Sequence, residues 1–379
     1  MGPVDVLVFN WRDWRDPRAG GAEDFVKSIV TKLTDSGFST LFLTSRFPGS
    51  LATESSNRLH IVRCGNRATV HLTCANRIRA VLKSNPHAIL LESLNTLPPI
   101  TDLVNRTFSR VVLIHHVAGR ELFTETPFPV SFALFSIERL YSRFARNWPI
   151  VTTSLQSKEE LIRVGHPPDN VSVCPPGIGN ATLLSGPPAR GLTTHIIGYL
   201  GPLKRYKGVP DVVKALPFVR GRFPDASVMI AGRGYLESEL RALAADLRLS
   251  ESVSFEGYIA EAAKRQFYDS CSVMVYPSAS EGGWSISVLE AMAMGVVPVV
   301  TPTLSEMVAD GRGFVVPYAS PRSIAKAVTT LWDDPELLGG VSGRAMNWAR
   351  RFTSDSGAAG VIRTLRDAGL RGTGSLGDA

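Results

Sequence analysis

The sequence predicts an α/β chain of two doubly wound, Rossmann-like sheets facing each other across a cleft. Three observations carry that expectation. Short β-branched runs alternate with helical patterns over the whole length, as the strand–helix–strand units of a parallel sheet require. The alternation occurs in two series, separated by the Pro- and Gly-rich stretch "CPPGIGNATLLSGPPARG" (174–191), which reads as a linker. At 379 residues the chain is too long for one ordinary domain and suits two.

In the first series the expected strands are "VDVLVFN" (4–10), "STLFLTS" (39–45), "AILLES" (88–93), "RVVLIHH" (110–116) and "PIVTTS" (149–154). In the second they are "HIIGYLG" (195–201), "SVMIAG" (227–232), "SVSFEG" (252–257), "CSVMVYP" (271–277) and "VVPVVT" (296–301). The expected domains are therefore 1–186 and 187–354. The last helix, "DSGAAGVIRTLRDAGL" (355–370), is expected to pack back on the first domain, and "RGTGSLGDA" to fray beyond it.

Composition narrows the function classes. With 44% hydrophobic and 20% charged residues the chain is ordinary globular protein, and no apolar run approaches the ~18 residues of a membrane span. The opening "MGPVDVLVFNWRD" lacks the features of a secretory signal, so a cytoplasmic location is expected. Cys64, Cys74, Cys174 and Cys271 show no CxxC spacing and read as small core residues, not as a zinc site or disulfide framework. The net charge of +7 is unevenly spread: no acidic residue lies between Glu54 and Glu92, while Arg58, Arg63, Arg67, Arg77, Arg79 and Lys83 do. No zinc-finger, RNP-like or helix-turn-helix signature accompanies these cations, so nucleic acid is not an expected partner. The basic stretch is either a solvated face or a contact for an anionic membrane surface. The solvated face is the leading reading; the segment "FALFSIERLYSRFARNW" (132–148), mixing aromatics with Arg139, Arg143 and Arg146, keeps the membrane surface as the alternative.

Ligands of doubly wound sheets bind at the carboxyl ends of the strands, and there the chemistry-bearing residues collect. After the first strand, "NWRDWRDPRAGGAEDF" (10–25) offers Gly20 and Gly21 just before a helix, where backbone can approach an anion closely. The bland alternative is a flexible loop with an acidic helix start. His115 and His116 end the fourth strand with no third ligand that would argue for a metal. "YLGPLKRYKG" (199–208) places Lys204, Arg205 and Lys207 on a turn opening a helix, either as surface charge or as the cationic end of a phosphate site. Finally "PSASEGGWSISVLEAMAMG" (277–295) sets Glu281 and Glu290 either side of a Gly-Gly-Trp turn. Ser287 and Glu290 alone read as a capping box. That reading leaves Glu281 and the glycine pair unexplained.

With these motifs in order, the sequence resembles the family 4 retaining glycosyltransferases of the GT-B fold. The resemblance runs through "NWRDWRDPRAGGAE", "TSLQSKEEL", "PPGIG", "LGPLKRYKG", "IAGRG" and "VSFEGYI" to "SEGGWSISVLEAMAMGVVPVV". It implies transfer of a hexose-type sugar, with retention and without a metal, from a nucleotide-diphosphate sugar held by the C-terminal domain to an acceptor held by the N-terminal one. It also implies roles: Glu281 beside the donor sugar, Glu290 on the ribose, and the N–H groups of Gly283, Trp284 and Ser285 on the diphosphate. Lys207 would be the diphosphate cation, with Gly20 or Gly21 adding N–H donors, and Gly232 would belong to the donor site. His115, with His116 beside it, would orient the reacting sugar, and Tyr258 and Ile259 would flank the base. Two positions depart from the family pattern. Eight residues, not seven, separate Glu281 from Glu290, and Pro202 stands where an arginine is common, so Arg205 is expected to replace part of that charge. An acceptor carried on a lipid is a further expectation. Two alternatives stand beside this reading: a nucleotide-sugar-binding module with weakened chemistry, and a nicotinamide-dependent oxidoreductase, against which the first turn lacks G-x-G-x-x-G.

Overall fold

The computed structural model describes residues 3–94, 108–115, 127–133, 135–137, 145–179 and 193–371. The chain divides into two compact units, Met1–Gly179 with Thr353–Ala379 and Asn180–Phe352.

In the N-terminal unit, β1 (Val6–Asn10), β2 (Thr40–Thr44), β3 (Thr53–Ser56), β4 (Leu59–Arg63), β5 (Ile89–Leu94), β6 (Arg110–Ile114), β7 (Ile150–Thr152) and β8 (Val171–Val173) form one sheet in the order β3-β4-β2-β1-β5-β6-β7-β8. All neighbours run parallel except β3 and β4. A strand covered on both faces reads as a continuous apolar run, and β1 is such a strand. Val6 and Val8 pack with α1 (Gly21–Asp35) and the final helix, whereas Leu7 and Phe9 pack with α2 (Val70–Ser84). α3 (Leu155–Arg163) follows β7, its N-terminus capped by the Ser154 side chain.

The C-terminal unit has a six-stranded parallel sheet, β11-β10-β9-β12-β13-β14. Its strands are β9 (Ile196–Leu200), β10 (Ser227–Ala231), β11 (Val253–Gly257), β12 (Val273–Tyr276), β13 (Val297–Val300) and β14 (Phe314–Val315). The helices are α4 (Val209–Arg220), α5 (Glu237–Asp246), α6 (Glu261–Ser270), α7 (Ile286–Ala293), α8 (Ser305–Val308), α9 (Pro321–Asp333) and α10 (Pro335–Ala349). The last helix, α11 (Ser354–Asp367), buries Ala358, Val361, Ile362 and Leu365 in the N-terminal unit's core, and Asp355 pairs with Lys32 of α1 at 2.7 Å.

Four strands differ from the sequence reading. β3 is "TESS", polar and exposed, and pairs antiparallel at the sheet edge, so no hydrophobic pattern marks it. β4, β8 and β14 are short or only partly apolar. The linker reading also changes. The unit boundary falls at Gly179/Asn180 instead of 186/187, and Ile178 is buried and bridges to Thr353. Residues 180–191 of that stretch lie outside the described residues. The basic stretch is not one solvated face, because Arg63 is fully buried with its Nε 2.6 Å from Asp13 and its NH1 2.5 Å from Glu54. Among the described residues no helix is long and apolar enough to cross a membrane.

Candidate functional site

The carboxyl ends of β9 and β12 bring Lys207 and Glu281 together. Lys207 ends a 3-10 turn, Arg205–Lys207, and Gly208 then takes a left-handed conformation (φ 67°) before α4 begins. A Cβ at Gly208 would collide with the Pro277 carbonyl, so only glycine lets this turn lie against the β12 loop. The amide of Ala279 donates to the Tyr206 carbonyl at 2.7 Å and locks the two loops together. In that frame the Lys207 Nζ donates to Glu281 Oε1 at 2.5 Å, with side chains 14% and 11% exposed, and Ser278 Oγ donates to the same oxygen at 2.5 Å. Burial opposes the Lys207 charge, but Glu281 and Tyr206 outweigh it and hold the ammonium above its ordinary range. The strand ends thus hold a fixed, largely desolvated cation beside a carboxylate.

Arg205 does not join this pair. In a 3-10 turn, residues two apart point in different directions, and the Arg205 side chain lies in solvent, 69% exposed, with Glu239 at 3.8 Å. Pro202 is exposed as well, and its carbonyl accepts from the buried Tyr199 hydroxyl. The arginine missing at Pro202 is therefore not replaced by Arg205 in this structure.

The capping-box reading of Glu290 is also overturned. α7 begins after Ser285, not Ser287, and Glu290 points away from that helix start. Its Oε1 accepts from Lys264 Nζ at 2.8 Å and its Oε2 from the Tyr268 hydroxyl at 2.8 Å. Burial pushes the Glu290 carboxyl upward, with Lys264 and Tyr268 opposing. Tyr276 supports the same corner by donating to the Ser287 carbonyl at 2.9 Å. Sequence reading missed Lys264 and Tyr268, which sit four residues apart on α6 and so share one helix face. That i, i+4 spacing was the available signal, but it looks like any amphipathic surface.

The Gly282-Gly283 turn takes two successive left-handed conformations, φ 59° and 82°, which glycine adopts without strain. The three N–H groups expected to face a diphosphate are engaged inside the unit. Gly283 donates to the Thr303 carbonyl at 3.1 Å, Trp284 to the Glu281 carbonyl at 3.5 Å and Ser285 to the Met307 sulfur at 3.3 Å. Thioether sulfur is a weak acceptor, so the Ser285 N–H is the one most readily turned to a phosphate oxygen. The Trp284 ring is buried against Trp348 and Phe352 and anchors the turn. Gly232 (φ 132°) lies against the Gly201 carbonyl where a Cβ would not fit. Tyr258 is 64% exposed beside half-buried Ile259, with the Arg233 guanidinium 5.7 Å from its ring centre.

In the N-terminal unit, His115 is buried at the end of β6, its Nε2 3.0 Å from Ser93 Oγ, its carbonyl accepting from Thr153 Oγ1 at 2.7 Å. His116 lies outside the described residues. Gly20 caps α1, which begins at Gly21, but the Gly20 N–H donates to Glu23 Oε2 at 2.9 Å and is already satisfied. Burial raises the Glu23 carboxyl above its ordinary range, with Gly20 and Arg12 opposing. Among the described residues, no group of three or more His, Cys, Asp and Glu side chains is disposed to hold a metal ion.

Residues 194–334 match the family described as Glycosyl transferases group 1. The chain is 30% identical over 210 residues to the phosphatidyl-myo-inositol mannosyltransferase of Mycolicibacterium smegmatis, a match covering 54% of this chain and 53% of that one. It is 32% identical over 164 residues to a GDP-mannose-dependent phosphatidylinositol monomannoside mannosyltransferase of Corynebacterium glutamicum, covering 40% and 42%. The chain spans about half the length of the curated relatives it matches. Among solved structures, the sucrose-phosphate synthase of Thermosynechococcus elongatus superposes with a TM-score of 0.77 at 18% identity, covering 96% of this chain and 98% of that one. HepE of Anabaena, in complex with UDP-glucose, gives 0.73 at 17% identity, covering 96% and 99%. The chain has the fold of the GT-B glycosyltransferases, and its residues 194–334 match the group 1 glycosyl transferases.

Proposed function

We propose that the protein is a retaining, metal-independent glycosyltransferase that moves a hexose from a nucleotide-diphosphate sugar to an acceptor hydroxyl. The observation that carries the reading is the Lys207–Glu281 pair beside the Gly282-Gly283 turn. Cleavage of the anomeric C–O bond passes through an oxocarbenium-like state and leaves a nucleoside diphosphate. Negative charge then grows on the departing diphosphate. Lys207, held at the strand ends, exchanges Glu281 for the diphosphate, and Ser285 N–H, exchanging the Met307 sulfur, adds a donor. Glu281, released from Lys207 as the diphosphate arrives, accepts from a hydroxyl of the donor sugar. Glu290 shares its oxygens between Lys264 and the ribose diol, and Tyr258 with Arg233 receives the base. His115, its ring fixed by Ser93, orients the sugar or the acceptor hydroxyl.

The relatives named for phosphatidylinositol substrates support an acceptor linked to a lipid, so the N-terminal unit would work at the anionic inner face of a membrane, on the cytoplasmic side. The test is product analysis. Purified protein is supplied with GDP-mannose or UDP-glucose and a phosphatidylinositol acceptor in excess EDTA, and the new linkage is read by NMR. A product with the donor's anomeric configuration is expected. An inverted product, or activity only with an added divalent cation, refutes the mechanism.

A further inference from the structure

The N-terminal unit holds a group of polar atoms that the donor chemistry does not use. At the carboxyl ends of the adjacent strands β4, β2 and β1, and at the start of α2, six buried atoms lack hydrogen-bond partners among the described residues: Asn10 Oδ1, Trp11 Nε1, Arg12 Nε, Thr44 Oγ1, Arg63 NH2 and His71 Nδ1. Native proteins leave few such atoms, and each calls for an explanation. Here the orphans include the N–H donors of Trp11, Arg12 and Arg63. Two guanidinium groups also share one indole, with Arg12 Cζ 4.3 Å and Arg67 Cζ 4.9 Å from the Trp11 ring centre. The ring face holds both cations in place. The two cations are thinly compensated: Arg12 pairs with Glu23 at the long distance of 3.9 Å while its NH1 donates to the Arg18 carbonyl at 2.8 Å, and the exposed Arg67 has no carboxylate partner among the described residues. Asp13 and Glu54 are taken by Arg63 and Arg15, and Asp16 by Arg18. Burial and the neighbouring charge of Arg67 pull the Arg12 guanidinium below its ordinary range, against the pull of Glu23.

We infer that Trp11, Arg12 and Arg67 form a subsite for a phosphate ester carried by the acceptor. The indole N–H and the Arg12 Nε–H donate to its oxygens, and the Arg67 guanidinium supplies the second positive charge. A carboxylate would be satisfied by one bidentate arginine. Two cations with separately directed N–H donors suit a tetrahedral group of higher charge. Only the word acceptor rests on the glycosyltransferase reading; the subsite itself does not.

The test is calorimetry on the full chain at low salt with glycerol 3-phosphate and glycerol, joined by flotation with phosphatidylinositol and phosphatidylcholine vesicles. Saturable binding of glycerol 3-phosphate but not glycerol identifies a soluble ester as ligand. Capture by phosphatidylinositol vesicles, with weak binding of the soluble ester, assigns the phosphate to a lipid headgroup. In either case Arg67→Ala should weaken binding at least about tenfold and Trp11→Phe, which keeps the ring but removes the N–H, by several-fold. Arg67→Lys should fall between Arg67→Ala and wild type. Absence of binding in both forms, or binding indifferent to Arg67→Ala and Trp11→Phe, overturns the subsite. Nucleotide-sugar binding by the wild-type protein, measured separately, bears on the transferase reading alone.

Discussion

Replacing Lys207 by methionine removes the cation at the centre of the donor site and keeps the length of the side chain. Glu281 then stays 11% exposed with Ser278 still donating to it but no positive charge beside it. Breaking a buried pair by removing one partner costs about 3–5 kcal/mol, and the slight exposure of both side chains places this site at about 3 kcal/mol. For a unit of this size that lowers Tm by roughly 6–12 °C. The double variant Lys207→Met/Glu281→Gln removes both charges and should recover most of that loss. Activity should behave differently. A preorganised donor at a developing anion is worth about 10²–10³ in kcat, so Lys207→Met should lose that factor and the double variant should regain none of it. The assay pairs steady-state kinetics with thermal melts of the three proteins. An unchanged kcat/KM in Lys207→Met, or turnover restored along with stability in the double variant, would refute the assignment.

Three further outcomes follow from the same geometry. Gly208→Ala must adopt φ 67° and displace the Pro277 carbonyl; the backbone conformation alone costs about 1–2 kcal/mol, and with the collision the loss in denaturant unfolding should exceed that, so an unchanged midpoint contradicts the loop docking. Lys264→Met leaves the buried Glu290 with Tyr268 alone and should cost about 3 kcal/mol. Burial already raises the Glu290 carboxyl, and a group with a raised folded pKa loses stability as pH rises through that value. The variant's Tm should therefore fall more steeply than wild type as pH rises above the ordinary carboxylate range, and parallel curves would contradict this. The Cys64 thiol, hydrogen-bonded to Cys74 and near Arg77 and Arg46, is lowered to about 6. Iodoacetamide labelling should show a midpoint there that disappears in Cys64→Ser and moves up in Cys74→Ala; a midpoint near the ordinary ~8.5 removes the pairing.

The strands that lay down the site were legible because they are mostly buried, and β1, β2, β5, β6, β9, β10, β12 and β13 each carry a short, largely apolar run. Edge strands such as "TESS" owe their structure to a neighbour and carry no such signal. Glu281, Lys207 and the glycines at 232 and 283 were singled out in the sequence by the motifs that carry the family resemblance. Their partners were not: Lys264 and Tyr268 arrive from α6, and whether a helix-surface lysine points at solvent or at a buried carboxylate is decided by packing. Arg205 was misplaced because its proximity to Lys207 in sequence says nothing about direction on a 3-10 turn. Arg63 was read among solvated cations although Asp13 and Glu54, distant in sequence, enclose it. The Cys64–Cys74 contact was hidden for a similar reason, since the ten-residue spacing matches no familiar motif.

The measurement that bears most directly on the central claim is thermal unfolding of the wild-type protein and Lys207→Met with GDP-mannose, UDP-glucose, UDP and GDP, each titrated with and without EDTA. A ligand bound only by the folded state adds about 2.7 kcal/mol of stability at a hundredfold excess over Kd. A donor site built on Lys207 predicts that at least one nucleotide-diphosphate sugar raises the wild-type Tm by several degrees, equally with and without EDTA, and that this rise is largely lost in Lys207→Met. A wild-type protein whose Tm no nucleotide or nucleotide sugar moves, or a rise that Lys207→Met retains in full, would contradict it.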